Sequence, residues 1–171
     1  MHAIVNPFIQ ICLLRQGPQD LPTSGILLTI ALAAYTVMSI VWSKISLNAT
    51  SALLSGLLDT VLLVVLSGAL LYAQRRKARL IQTLTALAGT GAIITLIALP
   101  ISGWLHATDQ AAGEGSLALL LLLILTGWSL AVAGHIFRNA LSVPYFLGLV
   151  LAAAFYWISI SVFRALFPLG A

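Results

Sequence analysis

The chain has 171 residues, of which 61% are hydrophobic and 7% are charged, and its mean hydropathy is +1.10. Soluble domains carry about 25% charged residues, so this composition excludes a soluble globular protein and predicts a membrane protein. The formal net charge of +4 comes from basic residues that lie between apolar segments. This pattern indicates membrane topology and argues against a nucleic-acid-binding surface.

Residues 1–22 form the most mixed part of the sequence. The apolar stretch from Pro7 to Leu14 is too short to cross a bilayer, which takes about 20 residues, but it suits one or two helical turns in the interface. Gly17-Pro18 and Pro22 then interrupt the chain. We interpret this part as an interfacial or cytoplasmic segment, which either leads into the first span or docks a partner or the membrane surface.

Five apolar segments follow, and each is long enough to cross the hydrocarbon core. They predict an all-α polytopic membrane bundle over residues 23–171, with spans at about 23–42, 52–72, 80–105, 116–137 and 144–163. The connections are too short to hold a soluble catalytic domain. Any function is therefore expected within the bundle or at its rims.

The orientation follows from the distribution of lysine and arginine over the short connections. A cytoplasmic N-terminus and an external C-terminus place most of them inside, and we call that set the basic rim: Arg15, Arg75, Arg76, Lys77, Arg79 and Arg138. Only Lys44 and Arg164 then lie outside, together with the polar loop 106–115 that contains Asp109 and Glu114. We expect a multi-pass protein of the bacterial inner (plasma) membrane.

Asp59 is the acidic residue inside a predicted span, and an ionisable group at such depth is a functional hypothesis by default. Ser51, Ser55, Asp59 and Ser67 share one stripe of the second span, which should face inward. Residues at a similar depth on other spans are candidate partners: Thr36 with its neighbour Tyr35, Thr95 and Tyr156. Asp59 either joins helices by hydrogen bonds or binds an ion, a proton or a substrate.

Small residues predict two surfaces where helices approach closely. Gly127, Ala131 and His135 recur at four-residue spacing, and Gly89 and Gly91 lie in the third span. We expect no metal site, because the orientation separates His106 from His2 and His135. The single cysteine, Cys12, excludes an intramolecular disulfide. No catalytic motif or cofactor motif is present at usable spacing, so we predict no enzymatic activity and no cofactor.

Two stretches carry a resemblance to a known family. They are Gly17-Pro18-x-Asp20-Leu21-Pro22 and Trp128 followed by His135-Ile136-x-Arg138-x-Ala140-Leu141. With the five spans, they resemble the Yip family of integral membrane proteins, which has small bacterial relatives. The resemblance implies a non-enzymatic membrane protein with a cytoplasmic N-terminus. Eukaryotic members bind Rab-type GTPases and have a long soluble N-terminal region, which has no counterpart in this sequence.

Two functional hypotheses follow from these observations. In the first, the protein is a scaffold or accessory subunit, and its basic rim recruits a protein partner, a second copy or anionic lipid. In the second, it is a small transporter or channel protomer that uses Asp59 as a polar site within the bilayer. We favour the first hypothesis on the sequence, because the second depends on one buried charge.

Overall fold

Helices dominate the computed structural model, which describes residues 2–109 and 116–166. Within those ranges the α-helices are α1 (His2–Cys12), α2 (Gly25–Ser43), α3 (Ala49–Ala73), α4 (Leu80–Asp109), α5 (Ser116–Leu141) and α6 (Tyr145–Leu166). Two short 3₁₀ turns cover Pro18–Asp20 and Lys77–Arg79, and no strand is found there. Five helices, α2 to α6, are long and apolar enough to cross a membrane. The predicted all-α bundle with five candidate spans is confirmed.

Side chains at the helix starts explain several of these boundaries. The Ser24 hydroxyl accepts a hydrogen bond from the Leu27 amide at 3.3 Å, and the Asn48 side chain accepts one from Ser51 at 2.9 Å. Such N-caps satisfy amides that have no partner within the helix. At the other ends of α3 and α5, Arg75 and Ser142 reverse the chain with positive φ values of 56°.

Three helices extend beyond the predicted segments. α1 begins at His2 and is longer than the one or two turns expected from Pro7. α4 continues to Asp109 and α5 continues to Leu141, beyond the expected span ends near 105 and 137. Asn139 favours the helix because its side-chain amide donates to the His135 carbonyl one turn earlier, at 2.9 Å. Residues 110–115, including Glu114 of the predicted loop, and residues 167–171 lie outside the described residues.

The long helices alternate in direction around α4. α4 packs against α2, α3 and α5, while α6 packs mainly on α5 and touches α3 only lightly. Half of the most apolar stretch of α4 is buried, compared with 11% for α2 and for α6. We call the two ends of the bundle the basic-rim end and the His106 end. At the His106 end, Ser46 Oγ lies 3.2 Å from His106 Nε2 and links α4 to the turn after α2.

The closest contact between α5 and α6 is made by Gly134 and Gly148. A Cβ atom on Gly148 would overlap the Gly134 carbonyl oxygen and lie 3.0 Å from the Arg138 amide nitrogen. Gly127, which was predicted to lie in such a contact, has no neighbouring atom within 4 Å of the point that a Cβ atom would occupy. That prediction is wrong: the close approach of α5 is made at Gly134, and near Ser129 the contact with α6 is made by the Tyr156 side chain.

The N-terminal segment, residues 2–22, docks on α4 and α5. Trp128 Nε1 donates to the Cys12 carbonyl at 2.9 Å, and Gln82 Nε2 donates to the Leu21 carbonyl at 2.6 Å. The Phe8 ring occupies the space that a side chain on Gly89 would need. The opposite face of α1 is apolar and exposed at Val5, Ile9 and Leu13. The segment is thus an integral part of the bundle.

Candidate functional site

A cavity of about 420 Å³ lies among α2, α3, α4, α5 and α6. It extends from Ser43 and Phe163, near the His106 end, to Leu87 and Phe137, which lie within about two helical turns of the basic-rim end. Its polar lining consists of Tyr35, Ser39, Ser43, Ser55, Asp59, Thr90, Thr95, Thr126, Ser129, Tyr156 and Ser159. The rest of the lining is apolar or aromatic. The volume is within the range of small-molecule sites in proteins.

Asp59 faces this cavity from α3, where it is half-buried. Ser39 Oγ of α2 donates a hydrogen bond to Asp59 Oδ2 at 2.7 Å. The Tyr35 side chain interacts with the same carboxylate. Gly91 of α4 makes room for it, since a Cβ atom there would lie 2.7 Å from the Tyr35 ring. Hydroxyl groups of α2 therefore position the carboxylate.

Most other hydroxyl groups around the cavity already have hydrogen-bond partners. Ser43 and Ser55 form a buried pair at 2.7 Å, and the Tyr156 hydroxyl donates to Ser129 at 3.3 Å. Thr90 donates to the Ala86 carbonyl of its own helix at 2.7 Å. Among the described residues, Ser159 Oγ is a buried lining atom without a hydrogen-bond partner. The cavity thus combines one charged group with neutral polar groups.

The structure brings together most residues that were predicted to form the polar site. Asp59, Ser55, Thr95 and Tyr156 all line the cavity. The inward orientation of the α3 stripe is also confirmed, since Ser55 and Ser67 are almost completely buried. Thr36 does not belong to the site, and its prediction is wrong. Its hydroxyl bonds Thr60 at 2.8 Å and the Leu32 carbonyl of its own helix.

Ser39 is the direct partner of Asp59 that the sequence interpretation missed. A usable signal was present in α2, where Tyr35, Ser39 and Ser43 recur at four-residue spacing and so lie on one face. In an antiparallel helix pair, this stripe runs beside the stripe of Ser51, Ser55 and Asp59. Thr36 was chosen as a candidate partner only because it lies at a similar depth to Asp59. It is one residue away from Tyr35 and faces another part of α3.

The charge of Asp59 has no basic counterpart in the cavity. Of the described residues that line it, none is lysine, arginine or histidine. A carboxylate within a bilayer costs about 2.5–3.5 kcal/mol on insertion scales, and hydroxyl hydrogen bonds offset part of this cost. Such a group can be neutralised by a proton or by a bound cation.

The basic rim is partly occupied by contacts within the protein. Arg79 Nη1 donates to the carbonyls of Asn139 and Ala140, at 2.8 and 3.1 Å, and caps the end of α5. The Lys77 ammonium group lies 3.9 Å from the Tyr72 ring centroid. Arg15, Arg75 and Arg138 are exposed. His135 Nε2 lies 3.1 Å from the Gln16 carbonyl oxygen, which holds the N-terminal segment beside this rim.

Within residues 2–109 and 116–166, no three His, Cys, Asp or Glu side chains come together as metal ligands would. The chain matches no family model, no curated protein and no solved structure.

Proposed function

We propose that this protein is a small transporter or channel protomer of the bacterial inner membrane, in which Asp59 binds a proton or the transported cation. The observation that most directly supports this proposal is the cavity among α2, α3, α4, α5 and α6. Its described lining residues include one carboxylate and no basic residue. On this proposal α2 to α6 cross the bilayer, the basic rim faces the cytoplasm, and the protein has no enzymatic activity.

The distribution of polar groups supports a path that opens at the His106 end. Ser39, Ser43, Ser55 and Asp59 lie towards that end, while Leu87 and Phe137 close the cavity towards the basic rim. Hydrophobic constrictions of this kind gate transport proteins by excluding water. The light contact between α3 and α6 provides a seam at which the bundle could widen.

A proteoliposome assay tests this function. Purified protein is reconstituted in vesicles, and entry down an imposed concentration gradient is followed with an enclosed pH-sensitive dye for protons and by uptake of radiolabelled sodium or potassium for alkali ions. We expect flux from the wild type and a decrease of about tenfold or more for Asp59→Asn. Asp20→Asn is the matched control, because Asp20 lies outside the cavity and caps Gly17 near the basic rim. Absence of wild-type flux with protons, sodium and potassium contradicts the proposal.

A second candidate function is the recruitment of a protein partner or anionic lipid at the basic rim. The observation that favours it is the exposure of Arg15, Arg75 and Arg138 at one end of the bundle. Each basic residue near a surface contributes about 1 kcal/mol towards anionic lipid. Crosslinking from the exposed position 78 in native membranes tests it, and crosslinks that persist after Arg75, Arg138 and Arg15 are changed to Gln count against it. The resemblance to the Yip family stays a prediction.

A further inference from the structure

The residues that line the cavity indicate which class of ligand it binds. This inference rests on the proposed function. Asp59 contributes one negative charge, and no described lining residue contributes a positive one. A site with a single carboxylate favours a ligand with a single positive charge, since a neutral or anionic ligand leaves the carboxylate uncompensated and a dication leaves one positive charge uncompensated. The electrostatics therefore select a monovalent cation.

The geometry disfavours a bare inorganic ion as the main ligand. Alkali and alkaline-earth ions are held by several oxygen atoms that converge on one point. Here Ser43 and Ser55 bond each other, Tyr156 bonds Ser129, and Thr90 bonds its own helix. Coordination of an ion would break these pairs. A cavity of about 420 Å³ is also far larger than one ion with its ligands requires.

The apolar part of the lining fits the body of an organic molecule. Six aromatic residues contribute to it: Tyr35, Trp42, Phe137, Phe155, Tyr156 and Phe163. Phe137 of α5 and Phe155 of α6 form a tilted pair with ring centroids 6.1 Å apart. Aromatic faces attract cations through the ring quadrupole, and they are the usual partners of quaternary ammonium groups. An aromatic wall and one carboxylate together recognise a charged head on an apolar body.

We propose that the cavity binds an organic monocation with an aromatic or aliphatic body, such as a quaternary ammonium compound. Its charged group lies beside Asp59 within reach of Tyr35, and its body packs among the aromatic side chains of α5 and α6. Ser39 keeps the carboxylate oriented towards the ligand through the 2.7 Å hydrogen bond.

Equilibrium binding to the purified full chain in detergent tests this inference without any flux measurement. The probe is radiolabelled benzyltrimethylammonium, and the competitor pair is unlabelled benzyltrimethylammonium and neopentylbenzene, its neutral carbon isostere. We expect saturable binding that the cation displaces and the neutral isostere does not. Asp59→Asn should weaken binding by about tenfold or more, whereas Asp59→Glu retains most of it and Asp20→Asn leaves it unchanged. Thermal unfolding of each variant verifies its fold.

The outcomes separate the ligand class from the transport function. Binding that depends on the Asp59 charge, in a protein that carries neither protons, alkali ions nor benzyltrimethylammonium across the vesicle membrane, supports the inference and contradicts transport. Flux of protons or alkali ions without benzyltrimethylammonium binding supports transport and overturns the inference. Equal displacement by neopentylbenzene also overturns it, because the charge then plays no part in recognition. If a folded Asp59→Asn variant binds benzyltrimethylammonium as tightly as the wild type, the ligand lies elsewhere and the inference is overturned.

Discussion

Replacing Gly148 by alanine should destabilise the bundle at the contact between α5 and α6. The added Cβ atom would meet the Gly134 carbonyl oxygen and the Arg138 amide nitrogen, the latter at 3.0 Å. Both are backbone atoms of a helix, so neither can move aside by changing a rotamer. Overpacking of this kind costs about 1–3 kcal/mol, and the higher helix propensity of alanine returns at most about 1 kcal/mol. We expect the free energy of unfolding to decrease by about 1–2 kcal/mol.

Gly127→Ala is the matched control for this prediction. The same substitution is made in α5, but no atom lies within 4 Å of the new methyl group. Its free energy of unfolding should therefore stay level or rise by up to about 1 kcal/mol. Reversible unfolding in mixed micelles, followed by circular dichroism, measures both variants. The interpretation of this contact is refuted if Gly148→Ala is as stable as the wild type, or if Gly127→Ala is the more damaging change.

Two further predictions concern the N-terminal segment and the basic rim. Burial raises the pKa of the Cys12 thiol to about 11, so the thiol stays protonated at pH 7–8 and should react slowly with a maleimide. Trp128→Phe removes the donor to the Cys12 carbonyl and should increase the rate of maleimide labelling of Cys12 severalfold. An unchanged labelling rate would contradict docking through this hydrogen bond. Arg79→Lys should lower the free energy of unfolding by about 1–2 kcal/mol, because the lysine side chain is one bond shorter and does not place a donor where Nη1 of Arg79 donates to both carbonyls. Arg75→Lys, at an exposed position, should have little effect, and equal losses for both variants would contradict the capping role.

Composition and hydrophobic segment length were sufficient to predict the helical architecture. The bilayer thickness sets the minimum length of an apolar helix that can cross it, and α2 to α6 are all at least that long. The ends of the helices were less predictable. α5 passes through Arg138 and Asn139 because local hydrogen bonds, including the one from Asn139 to the His135 carbonyl, favour helix over turn. Docking of α1 depends on Trp128 and Gln82, which are far away in the chain.

The candidate site was predictable where its signal was periodic. The serine stripe on α3 identified both Asp59 and its inward orientation. Which residue of α2 meets Asp59 depends on the rotation of that helix about its own axis. Thr36 and Ser39 lie almost one turn apart along the helix and about 60° apart around its axis. Ser39 therefore reaches the carboxylate and Thr36 reaches Thr60. The cavity is lined by residues of five helices, and no local pattern records how those helices pack.

The docking of the N-terminal segment has a consequence for how the protein is made. Cys12 and its partner Trp128 are 116 residues apart in the chain, and Gln16 and His135 are 119 apart. The N-terminal segment is synthesised before α5 and therefore reaches its final position only after α5 has been made. Until then its apolar face, with Phe8 and Ile11, lacks the part of its packing surface that α5 supplies, although α4 is already present. The reactivity of Cys12 in nascent chains of increasing length would report the moment at which assembly is complete.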